Sequence, residues 1–202
     1  MAVNRLRACI HRRENDSMKT ILFIPGFGEG VDDRDYPALL RLYEEAGYAS
    51  HFVRLKWSRT TLHHWVREFN QIYAHYEPSE AVLAGFSFGA VTAFMAASER
   101  VPNELWLYSM SPYFHGDKPK KAWTDHIGIR RTQAFREIDF DNLAKKIHCK
   151  AKVFYGELEG REVEGRAKTA ARKLPNAQLI SVPGAGHDVA DVHYLAAIKK
   201  HF

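Results

Sequence analysis

Cysteine is scarce: Cys9 and Cys149 are the only two in 202 residues, too few for a disulfide framework and without zinc-ligand spacing. That scarcity suits a reducing compartment, so a cytoplasmic location is expected. Long apolar runs are also missing; none approaches the roughly 20 residues needed to span a bilayer. The first stretch, MAVNRLRACIHRRENDSMKT, is basic but has no apolar centre of the kind a secretory signal needs, and Glu14 and Asp16 argue against an organelle-targeting peptide. It reads as a plain extension, with Met18 as an alternative start. Neither sign of charge dominates: 29 Lys and Arg stand against 24 Asp and Glu, a net of +5. Such a balance permits anionic partners without requiring them. No nucleic-acid-binding motif accompanies it. Internal repeats and low-complexity tracts are absent as well.

What is present is ordinary globular composition, 46% apolar and 26% charged, at a length that suits one domain with a sizeable core. Short β-rich apolar runs alternate with helix-like stretches. The strand candidates are 19–26, 50–55, 81–85, 104–109, 151–156 and 177–182; the helical stretches are 35–48, 60–76, 88–100, 162–174 and 188–200. Strands apolar on both faces and separated by helices predict an α/β fold, a three-layer sandwich around a mostly parallel sheet of about six strands. Residues 1–18 are expected to be an N-terminal extension with a candidate edge strand at 5–12, and 19–202 a single domain. The stretch 111–150 is polar, basic and aromatic and too long for a simple connection, so it is expected to form a small cap.

In open α/β sheets ligands bind beyond the carboxyl ends of the strands. After 81–85 comes Gly85-Phe86-Ser87-Phe88-Gly89, a G-x-S-x-G between strand and helix. A turn that sharp strains its central residue and crowds the positions two before and two after it, where only tiny side chains avoid collision. It would lift the Ser87 hydroxyl above the sheet and aim the Phe88 amide at whatever the serine attacks. A serine needs a base to become a nucleophile, and His187 stands in the glycine-rich loop VPGAGHDVADVH after the last strand. A carboxylate must orient that base. Glu159 is the first candidate and Glu157 the second, both after the strand AKVFYG, with Asp117 a third. The first strand ends in IPGFGEG, where the Phe27 amide is placed to be a second oxyanion donor beside that of Phe88. A phosphate-binding loop is the competing reading of GFGEG, but it lacks the Lys-Ser/Thr ending of a P-loop and the spacing of the dinucleotide fingerprint.

The ordered set IPGFGEG, GFSFG, GELE and GAGHD resembles the α/β-hydrolase superfamily over about residues 19 to 200. The resemblance implies Ser87 as nucleophile, His187 as base, Glu159 as acid, and the Phe27 and Phe88 amides as oxyanion donors. It implies no metal and no organic cofactor. This chain departs from the family in having no clear counterpart of the first two strands, Pro25-Gly26 in place of His-Gly, Glu in place of Asp at the acid, and a shorter cap. The implied reaction is hydrolysis of a small-molecule carboxylic ester or thioester. An acyltransferase, amidase or peptidase on the same scaffold, or a binding protein that retains it, are the alternatives.

Gly26, Phe27, Tyr113, Phe114 and Trp123 are the substrate-binding candidates, with Phe86 expected in the core. Trp57, Trp65 and Trp106 read as packing residues. Lys118, Lys120, Lys121, Arg130 and Arg131 form a basic group in the cap, either a solvated face or a site for an anionic part of the substrate. His63 with His64, and His187 with Asp191 and His193, lack metal-ligand spacing. No membrane span and no nucleic-acid partner are expected, and the sequence leaves the oligomeric state open.

Overall fold

The computed structural model describes residues 18–111 and 121–202. Its sheet holds six parallel strands: β1 (Thr20–Ile24), β2 (Ala49–Phe52), β3 (Ala81–Phe86), β4 (Glu104–Tyr108), β5 (Lys150–Gly156) and β6 (Ala177–Val182), in the order β2-β1-β3-β4-β5-β6. The chain runs outward from β1 to β2, then crosses back to place β3 on the other side of β1. That reversal makes the gap between the carboxyl ends of β1 and β3 a topological switch point, where open sheets take their ligands. The candidate edge strand at 5–12 lies outside the described residues.

Side chains alternate across the sheet and are buried on both faces, which is why the strands read as unbroken apolar runs. Ile21 and Phe23 face the layer formed by α1 (Tyr36–Glu45) and α8 (Val192–Lys200), where Tyr36, Leu39, Tyr43, Tyr194 and Ile198 pack. Leu22 and Ile24 face the opposite layer, formed by α2 (Leu62–Tyr73), α3 (Phe88–Glu99) and α7 (Arg161–Lys173). The central helix α3 is buried almost all round, as an element beneath other helices must be.

Between β4 and β5 the described residues form α4 (Lys121–Ile127), α5 (Ile129–Arg136) and α6 (Phe140–Ala144). The later part of this stretch packs into the body of the domain. Phe135, Ile138, Phe140, Ala144 and Ile147 join the apolar cluster of the α3 face, and the Phe140 ring stacks on Phe94 of α3 at 4.4 Å. Its basic residues are also partly spent: Lys121 pairs with Asp125 one turn away at 2.7 Å. Arg131 donates to the carbonyls of Trp57, Thr60 and Ile127 at 2.9–3.0 Å and lies over the Phe27 ring, so it ties the insertion to the body. Lys118 and Lys120 lie outside the described residues.

The last helix begins at Val192, four residues later than the sequence pattern suggests. Asp188 and Asp191 explain the delay. The Asp188 carboxylate accepts from the Ala190 amide at 3.0 Å, and Asp191 caps the helix by accepting from the His193 amide at 2.8 Å. Side-chain acceptors of this kind hold the backbone out of the helix. His187 therefore stays on a loop. Among the described residues no helix is long and apolar enough to cross a membrane.

Candidate active site

Ser87 sits at the junction of β3 and α3 with φ 56° and ψ −114°, a left-handed conformation that L-residues rarely adopt. The flanking glycines make the junction possible. A Cβ on Gly85 would lie 2.3 Å from the Gly89 carbonyl oxygen, and one on Gly89 would lie 2.2 Å from that of Ile24. Both neighbours are backbone, so no side chain can turn aside to make room. Serine at a helix N-cap usually spends its hydroxyl on the first-turn amides. Here it makes no such bond, and Ser87 Oγ meets His187 Nε2 at 3.0 Å.

His187 Nδ1 in turn hydrogen-bonds Glu159 Oε1. Glu159 closes a single 3-10 turn, Glu157–Glu159, directly after β5, and its side chain is only 1% exposed. A carboxylate that deep must have its lone pairs satisfied. Besides His187, the Gly156 amide donates to Oε2 at 2.6 Å and Ser109 Oγ donates to it at 2.8 Å. The length of glutamate suits this geometry, because it lets the side chain curl back onto the amide three residues before it. Ser109 follows β4, has φ 47°, and shares a hydrogen bond with the Tyr194 hydroxyl of α8. Because Ser109 gives its proton to Glu159, Tyr194 is the donor to Ser109. Burial, reinforced by the Glu159 charge, raises the Tyr194 pKa well above the ordinary phenol value and keeps it a neutral donor.

Glu157 does not join this chain; its carboxylate accepts from the Gly184 amide at 3.3 Å. Asp117, Tyr113 and Phe114 lie outside the described residues, and so does the side chain of Trp123, whose backbone belongs to α4.

Beyond β1 the Glu29 amide donates to the Gly26 carbonyl at 3.2 Å, closing a tight turn with Phe27 and Gly28 at its corner. Gly28 has φ 79°, as the third position of a type II turn requires. The turn thus holds Phe27 beside the switch point, and its ring packs on Phe88, the first residue of α3, at 5.1 Å. Phe86 is fully buried beneath the site, with its ring 4.8 Å from that of His187. Trp65 and Trp106 are fully buried and Trp57 nearly so. A cavity of about 980 Å³ opens between the start of α2 and the α4–α5 pair, lined by Arg59, Thr61, His64, Ile127, Arg130 and Arg131. His63 lies 3.5 Å from Glu137 and His64 hydrogen-bonds Thr61 at 3.0 Å. Among the described residues no three His, Cys, Asp or Glu side chains are grouped as a metal would need.

Sequence reasoning singled out Ser87, His187 and Glu159, and the fold brings these three into one hydrogen-bonded chain. It missed Ser109 and Tyr194. Ser109 ends the strand run ELWLYS, so the rule of inspecting strand ends applies to it, whereas nothing local distinguishes Tyr194 from the other core tyrosines.

No protein-family model matches the sequence, and no curated protein does either. Solved structures do. Est1E from Butyrivibrio proteoclasticus superposes with a TM-score of 0.73 at 16% identity, covering 94% of this chain and 87% of that one. A lipase-esterase related protein from Clostridium acetobutylicum gives 0.72 at 15% identity, covering 93% and 94%. Mouse alpha/beta hydrolase domain-containing protein 10 gives 0.65 at 13% identity, covering 90% and 87%. With its parallel sheet between two helical layers and its serine on a strand-to-helix elbow, the chain has the α/β-hydrolase fold.

Proposed function

We propose that the protein is a serine hydrolase that cleaves a carboxylic ester or thioester through an acyl-enzyme on Ser87. The observation that carries this reading is the unbroken chain from Ser87 Oγ to His187 Nε2, 3.0 Å, and from His187 Nδ1 to the buried Glu159 carboxylate. His187 takes the Ser87 proton as Oγ attacks the acyl carbon, and Glu159 holds the imidazole in the tautomer that can accept it. The charge on the carbonyl oxygen is met by the amides of Phe27 and Phe88. Collapse expels the alcohol or thiol, which takes the proton from His187 Nε2. Water, deprotonated by the same nitrogen, then releases the acid and restores Ser87. The Gly26–Phe27 turn lines the reacting end of the substrate.

A burst experiment tests this. With p-nitrophenyl butyrate the wild type releases one equivalent of p-nitrophenol ahead of steady turnover when deacylation is the slower step. Ser87→Ala and His187→Ala each lose more than about a thousandfold in kcat. Hydrolysis that survives both substitutions contradicts the proposal. The same acyl group offered as a thioester ranks the two leaving-group classes.

A further inference from the structure

Glu29 and Arg34 stand outside the relay, yet together they touch both of its sides. The Glu29 carboxylate accepts from the Gly26 amide at 3.1 Å and from the Tyr36 hydroxyl, which fixes the turn that presents Phe27. Its approach is close: a Cβ on Gly26 would lie 2.6 Å from Glu29 Oε2. Arg34 Nε and Nη2 both reach Glu29 Oε1 at 2.9 Å. The other arm, Nη1, donates to the His187 carbonyl at 3.2 Å and forms an ion pair with Asp188 Oδ1, also at 3.2 Å. The guanidinium also lies over the Phe86 ring, 5.0 Å from its centroid, and that ring is the one packed against the His187 imidazole.

One side chain thus joins the loop after β1 to the loop after β6, which reach the site from different parts of the sheet. Burial disfavours the Arg34 charge, but the hydrogen bond and charge of Glu29, aided by Asp188, outweigh that and hold its pKa above the ordinary value. A planar fork with five donors can serve these partners together; an ammonium of similar reach cannot.

We propose that Arg34, with Glu29 as its partner, is a positioning residue that ties the oxyanion turn to the histidine loop. The inference rests on the serine-hydrolase reading above. Both the Phe27 amide and the His187 imidazole must hold their places relative to Ser87, and a displacement near 1 Å costs on the order of a hundredfold in rate. The strap sets these two against each other, whereas the elbow alone sets only Ser87.

The test compares the rate constant for phosphonylation by an alkyl fluorophosphonate, and kcat and KM for p-nitrophenyl butyrate, in wild type, Arg34→Ala, Arg34→Lys, Glu29→Gln and the double variant Arg34→Ala/Glu29→Gln. Arg34→Ala is expected to slow phosphonylation and kcat by roughly 10- to 100-fold with KM changed less than about threefold. Arg34→Lys restores little of this. Guanidinium ion at low millimolar concentration restores part of the Arg34→Ala rate, and sodium chloride at the same concentration does not. The double variant loses less than the product of the single losses, because both substitutions break one link. If Arg34→Ala does not fold, Arg34→Lys carries the same requirement of a lowered kcat at unchanged KM. Rates within about twofold of wild type, an effect confined to KM, or a loss that guanidinium leaves untouched would overturn the proposal. A wild type inert to the fluorophosphonate removes the serine-hydrolase reading and the strap with it, whereas a reactive wild type indifferent to these substitutions removes the strap alone.

Discussion

Glu159 shows how much one buried side chain decides. Three donors converge on its carboxylate, from His187, Ser109 and the Gly156 amide. Glu159→Gln keeps the shape but turns one oxygen into a donor that faces another donor. A comparable exchange elsewhere lowers kcat about 10⁴-fold by selecting the wrong histidine tautomer. A loss of that order in steady-state ester hydrolysis is expected, with the fold retained by circular dichroism. Tyr194→Phe removes the donor to Ser109 and should cost about 1 kcal/mol in urea unfolding, with a rate loss under about tenfold. Cys149 gives a pH test unrelated to the site. Burial raises its pKa to about 11, so at neutral pH it is a thiol. Since the thiol is half ionised only near that pH, its alkylation, followed on the Cys149 peptide, should keep rising as pH approaches 11 instead of levelling near the ordinary thiol value of 9.

At the scale of elements, the β3–α3 elbow carries the sharpest constraint. Gly89→Ala drives a methyl into the Ile24 carbonyl, 2.2 Å away, and β1 is too well packed to retreat. Destabilisation of about 3 kcal/mol or more, read as a lowered urea midpoint, is expected. The elbow was legible in the sequence because that steric demand leaves glycine at two fixed offsets from Ser87. The loop carrying His187 was legible through its glycines for a different reason: Gly184 has φ 72°, which favours glycine, whereas Gly186 has open space around it. The start of α8 was not: helical periodicity runs on through 188–191, and only the hydrogen bonds of Asp188 and Asp191 reveal that the backbone is otherwise engaged. Glu29 and Arg34 escaped notice too. They are charged residues in a loop, like many on any surface, and their partners at 187 and 188 are far away in sequence.

For the whole molecule, the strand count and fold class followed from the alternation of apolar runs with helical stretches, but the strand order did not. Only pairing reveals that β1 lies between β2 and β3, so that the turn after β1 and the serine after β3 meet at the switch point. The insertion between β4 and β5 reads as polar from composition, yet Phe135 and Phe140 bury its later half against α3 and its neighbours. Phe135→Ala should therefore lower global stability by about 3–5 kcal/mol in a single unfolding transition, not melt a separate cap.

The central claim, an activated serine at the elbow, is tested most directly by intact mass after treatment with a fluorophosphonate. Attack by Ser87 Oγ on phosphorus expels fluoride while His187 takes the proton, leaving one stable phosphonyl group on the chain. The account predicts a single adduct on wild type, mapped to the Ser87 peptide, and none on Ser87→Ala. A well-folded wild type that gains no mass, or an adduct that persists in Ser87→Ala, would contradict it.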